Sequence, residues 1–180
     1  ARPMSTTTVL DPEDVEEQFL LRVRERLHQL ESRTRGLYAE TLVQTLLPGA
    51  QLTDQAGGAH DLTWEHGGEK INIAVRTSGT HNSDRRDGPP GDRKWTFNPV
   101  ESWSEGDGEG RRRCWSKVAV LADHDGLDIG RGWTFYVLSK GDLEAFPAKT
   151  LTPANLARNK YAPVGPGELA DAVAREAQKS

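Results

Sequence analysis

The apolar positions change period partway along this chain. Val15, Phe19, Val23, Leu27 and Leu30 recur every three or four residues, the spacing of one face of an α-helix. Asp11 stands where an N-cap belongs, Pro12 at the first helical position, and Asp14 three residues on completes a capping-box start. A break is expected over 32–36, after which a second helix turns Leu37, Leu42, Val43, Leu46 and Leu47 inward and stops at Pro48-Gly49. The period then drops to two. HDLTWEH and INIAVRT read as strands joined through the turn-forming GGEK, with Ile71, Ile73 and Val75 on one face and Asn72, Ala74 and Arg76 on the other. SKVAVLA and WTFYVLS predict two further strands. Short helices are expected after Gly141 and Thr152, and PGELADAVAREAQ closes the chain as a helix.

These elements predict a mixed α/β fold: a central sheet of four or five strands built round the 60–77 hairpin, with helices on both faces. A length of 180 residues suits one domain with a sizeable core. Residues 1–3, ahead of the only methionine, Met4, read as a cloning remnant. Residues 4–35 form the N-terminal helical part and 36–180 a single domain. Its long loop over 78–114 is rich in Gly, Pro and charge, with KWTFNPVESW the stretch expected to pack or coil.

Composition narrows the function classes. With 35% hydrophobic and 28% charged residues, a compact core with long solvated loops is expected rather than a disordered chain. No apolar run reaches the length that spans a bilayer, and no signal-peptide core opens the chain, so no membrane partner is expected. The single cysteine, Cys114, excludes an internal disulfide, fits a cytoplasmic location and is expected to be an ordinary packed thiol. A net charge of -4 argues against non-specific coating of nucleic acid. It leaves room for a local basic groove, because Arg22, Arg24, Arg26, Arg33 and Arg35 cluster early and Arg111, Arg112 and Arg113 follow an acidic loop.

The chemistry-bearing residues fall in a recognisable order. Glu40 lies on the second helix, Asp61 opens the first strand of the hairpin, and Ala74 and Arg76 share a face of the second, with twelve residues between Asp61 and Ala74. RGLYAETLV, HDLTWEHGGEKINIAVRTS and WTFYVLS resemble the PD-(D/E)XK nuclease superfamily, the restriction-endonuclease-like fold. In that family an Asp begins one strand, an acid-x-Lys pair occupies the next, and a helical Glu often completes the site. The resemblance implies metal-dependent hydrolysis of DNA phosphodiesters, with Mg²⁺ or Mn²⁺ held by Asp61 and an acid at position 74. Glu40 would assist directly or through water, and Arg76 would hold the phosphate. It further implies restriction or phage-defence work, and it admits a homodimer, since each such site cuts one strand.

The chemistry explains these residue types: carboxylates hold the cation beside the scissile phosphate, and a neighbouring cation stabilises its charge. Arg76 can meet a phosphate with its fork of donors, whereas Ala74 cannot bind metal. Three accounts of Ala74 stand open: an acid removed by the experimenter, natural decay of the site, or migration of the carboxylate to Glu65 or Glu69. Two other classes of function compete with a nuclease: a catalytically inactive relative that binds nucleic acid or a partner protein through the same face, and a small protein-interaction domain. Arg85, Arg86, Arg93 and Lys94, with Arg111, Arg112 and Arg113, form the expected phosphate-contacting patch. Trp64, Trp115 and Trp133 are expected to pack, and Trp95 and Trp103 are the candidates for stacking on bases. His60, His66 and His81 match no zinc-binding spacing.

Overall fold

The computed structural model describes residues 12–26, 32–53, 61–79, 93–95, 116–126, 129–147 and 151–179. Its centre is a five-stranded sheet in the order β1 (Gln51–Leu52), β2 (Leu62–His66), β3 (Glu69–Gly79), β4 (Val118–His124) and β5 (Trp133–Ser139). Only β3 and β4 pair in parallel; the other neighbours are antiparallel. This is the mixed α/β sheet the periodicities predict, with the two-residue β1 as the strand that the pattern does not reveal.

The hairpin forms as expected. Gly67 and Gly68 have φ of 60° and 80°, the pair of left-handed conformations a two-residue primed turn requires. That turn sets His66 opposite Glu69 and Leu62 opposite Ile73. β3 runs past the expected Thr77 to Gly79, because its far end pairs with β4 as far as His124.

Helices cover both faces. On one face, Ile71, Ile73 and Val75 pack with Ala39 and Val43 of α2 (Ser32–Leu46), with Leu47 just after it, and with Leu169, Ala172, Val173 and Ala177 of α5 (Leu169–Ala177). On the other, Ala119, Leu121 and Leu138 pack with Leu143 of α3 (Lys140–Glu144), Leu156 of α4 (Pro153–Arg158), Phe146 and Trp95. β4 lies between both layers, and every one of its residues is buried. Each of the short helices carries its own cap: Ser139 Oγ accepts from Asp142 N at 3.1 Å, and Thr152 Oγ1 from Asn155 N at 3.1 Å.

Two expectations fail. α2 opens at Ser32 and holds Gly36 within it, so the break expected over 32–36 is helical. Leu37 points to solvent at 59% exposure, because burial on this helix follows the 39–43–47 stripe, which leaves Leu37 on the outer side. α1 (Pro12–Arg26) forms as the spacing predicts, and its apolar residues lie outward: Val15 is 50% exposed and Phe19 63%. Asp11, Leu27 and Leu30 lie outside the described residues. Among the described residues no helix is long and apolar enough to cross a membrane.

Candidate functional site

Where β2 begins, Asp61 grips β3 on both sides of Ala74. Its N–H donates to the carbonyl of Ile73 at 3.0 Å, and its Oδ2 accepts from the N–H of Val75 at 2.7 Å. The side chain therefore takes over the ladder bond that a longer β2 would have supplied. The same Oδ2 accepts from Nη1 of Arg76 at 3.1 Å, and this Nη1 also reaches the Val75 carbonyl at 3.1 Å. The pair is partly wet, with Arg76 32% and Asp61 25% exposed at the side chain.

Glu40 faces this pair from α2. Burial pushes its carboxyl above the ordinary range, the negative charge of Asp61 adds to that rise, and Arg76 partly offsets it. Glu40, Asp61 and Arg76 thus converge on one corner of the sheet, in the order read from the sequence. Ala74 is buried between Ile73 and Val75, 4% exposed, and beside Ala119 of β4.

The residues present do not fit a divalent cation. The Oδ2 of Asp61 is already held by an N–H and a guanidinium, and position 74 offers only a methyl group. Among the described residues no three His, Cys, Asp or Glu side chains gather closely enough to hold a metal. Neither Glu65 nor Glu69 brings a carboxylate to this corner. Glu65 is at the turn end of β2, about 13 Å along the strand from Asp61 at the usual rise per residue. Glu69 is exposed at the same end and pairs with Lys117 Nζ at 3.1 Å.

Trp95 is fastened to the core by three hydrogen bonds. Trp95 exchanges backbone bonds with Leu151 at 2.9 and 3.2 Å, and its indole N–H reaches the carbonyl of Ala122 at 3.3 Å. The ring is 1% exposed. It is a core residue, not the base-stacking platform its loop position suggested. Lys94 is exposed, and its backbone N–H donates to Ser78 Oγ at 3.0 Å. Arg93 is 36% exposed at the side chain and donates to Asp123 Oδ2 at 2.9 Å. Arg85, Arg86, Arg111, Arg112, Arg113 and Trp103 lie outside the described residues, as do Cys114, His60 and His81.

Two charges at this end of the sheet are buried: Asp123, which sequence reasoning does not single out, and Arg35, which it groups with the early arginines as part of a basic groove. Asp123 is 4% exposed, beside Ser78 in the β3–β4 register and therefore on the face of Ala74 and Arg76. Burial pushes its carboxyl up, and Arg93 partly reverses this. Arg35 is 6% exposed on α2. A side chain at Gly79 would meet its guanidinium and the His124 carbonyl at about the limit of contact, so glycine there makes room for it. The acid ending the apolar run VAVLADH was the available signal for Asp123; for Arg35 there was none.

No protein-family model matches this chain, and no curated protein matches it. Among solved structures it is similar to a bacterial homing endonuclease, I-Ssp6803I, at 14% identity and a TM-score of 0.42, over 67% of this chain and 76% of that one. At that score and identity the likeness establishes neither a shared ancestry nor a shared activity.

Proposed function

We propose that this chain is a DNA-binding module on a nuclease-like frame, one whose hydrolytic site is lost at position 74. The observation that carries the reading is the engagement of Asp61. One oxygen of this acid, Oδ2, both caps the backbone of β3 and holds Arg76, which gives Asp61 a structural task at this corner. The order of Glu40, Asp61 and Arg76 along the chain and their convergence at one corner support the nuclease kinship.

Asp61 is a positioning residue in this reading. It fixes the guanidinium of Arg76 at the sheet corner, where a charge-assisted contact to a phosphate oxygen needs a preset donor geometry. Arg93 and Lys94, pinned near Ser78 at the same end of the sheet, add positive charge. Phosphate contacts of this kind bind without regard to sequence and weaken as salt rises. The same corner with an acid at 74 is the metal-dependent phosphodiesterase that the sequence resemblance implies, and the convergence of Glu40 with Asp61 favours this as the ancestral activity.

The test is fluorescence anisotropy of a labelled DNA duplex across a salt series. Binding should weaken linearly in log–log form, and Arg76→Ala should lower the slope by about 0.9, the loss of one phosphate contact. Absence of salt-dependent binding would overturn the reading in favour of a protein-interaction domain. An unchanged slope in Arg76→Ala would move the DNA site away from this corner.

A further inference from the structure

The face of the sheet that carries Ala74 and Arg76 is covered over only part of its width. Over β4 and β5 it is closed by Trp95, Leu143, Phe146 and Leu156. Over β1 and β2 it opens into a cavity of about 420 Å³, whose lining includes Gln51, Leu52, Thr53, Thr63, Glu65 and Lys70. The register explains that lining. Gln51 lies opposite Thr63 and Glu65 opposite Lys70, and Lys70 falls on the same side of β3 as Ala74 and Arg76. Asn72 also stands on this face, opposite Thr63, and its Oδ1 is buried without a donor among the described residues. The volume is in the range that holds a small organic unit.

The side chains around the cavity narrow what that unit is. The hydroxyls of Thr53 and Thr63 and the amide of Gln51 both donate and accept, Glu65 accepts, and Lys70 donates. Glu65 and Lys70 face each other across the hairpin, so the cavity has no net charge with which to attract an anion by itself. The edge of a nucleobase, with donors beside acceptors, meets such a lining; a lone phosphate or an apolar molecule does not. The near end of the cavity adjoins the corner of Asp61 and Arg76. Thr53 N–H donates to the Asp61 carbonyl at 2.9 Å, and Thr63 follows Asp61 by two residues, about 7 Å along the strand. A phosphate on Arg76, which Asp61 holds, therefore has its own base within reach of the cavity.

We infer that this cavity takes the base of an unpaired nucleotide in DNA whose phosphate lies on Arg76. The inference rests on the reading of that corner as a phosphate-binding site and names the DNA it prefers. A base stacked and paired inside a duplex cannot enter the cavity without being pulled out. A bulged base has already lost its pair and much of its stacking, so it enters at the least cost.

Fluorescence anisotropy with three labelled duplexes tests it: one fully paired, one carrying a single unpaired nucleotide, and one carrying an unpaired abasic site. The chain should bind the unpaired nucleotide about tenfold more tightly than either of the others, the size of one good base-edge contact. Thr63→Tyr and Gln51→Trp fill the cavity from opposite walls, and Gln51 is exposed, so the second leaves the core untouched. Each should abolish the preference and leave the salt slope on paired DNA unchanged. Equal binding of all three duplexes, an abasic site bound as tightly as the nucleotide, or a preference that survives both substitutions would overturn the proposal while paired DNA still binds. Loss of salt-dependent binding to every duplex would overturn the phosphate reading, and the proposal with it.

Discussion

Asp61→Ala removes both bonds that converge on one carboxylate oxygen, and their costs differ. The Val75 N–H, 2.7 Å from Oδ2, belongs to a residue 4% exposed, and losing a charged acceptor there costs about 1.5–3 kcal/mol. The ion pair to Arg76 is partly exposed on both sides and contributes about 0.2–1 kcal/mol. The expected loss is therefore about 2–4 kcal/mol, most of it from the backbone cap. Asp61→Asn keeps an acceptor for Val75 and should lose about 1 kcal/mol, and Arg76→Ala should lose no more than that. Urea unfolding followed by tryptophan fluorescence measures all three. An acid kept for ligand binding commonly costs stability, so its removal is neutral or stabilising. If Asp61→Ala unfolds at the same or higher urea than the unchanged chain, Asp61 is not committed to the backbone, and a metal-ligand role for it returns.

Two further expectations test neighbouring parts of the site. Trp95→Ala should cost about 3–5 kcal/mol in the same unfolding assay, as truncation of a buried aromatic does; a loss under about 1 kcal/mol would mean the ring is available at the surface. Glu40 holds its proton more tightly in the folded chain than in the unfolded one. Stability should therefore fall as pH rises from the ordinary glutamate value to the raised one, and level off above it. Glu40→Gln should shrink that slope in a pH series of urea midpoints, leaving the part of the same sign that the buried Asp123 contributes; an unchanged slope would place its whole source elsewhere.

The hairpin was legible because its signals are local. Strict alternation from Ile71 to Arg76 fixes which side chains share a face, and two consecutive glycines fix the turn and hence the register. Asp61 and Arg76 were found for the same reason. What they do to each other was not legible, since it depends on Asp61 donating to Ile73 while its side chain reaches Val75. Trp95 looked mobile in its Gly- and Pro-rich loop, but its partners, Leu151 and Ala122, are distant in sequence, and no local pattern pairs them. The pairing of Arg93 with Asp123 escaped in the same way. In α1 the periodicity revealed that an apolar face exists. It carried no information on whether this chain covers that face, and the described core does not.

The same limit applies to Ala74, whose neighbours show where its methyl group packs but not how alanine came to stand there. Supercoiled plasmid incubated with Mn²⁺ tests the central claim most directly, with this chain and its Ala74→Glu variant run side by side. The unchanged chain should leave the plasmid supercoiled at every metal concentration, because Asp61 is held by Val75 and Arg76 and position 74 has no ligand. Nicking or linearisation by the unchanged chain, abolished by EDTA, would contradict the account and show that the corner holds a metal without an acid at 74.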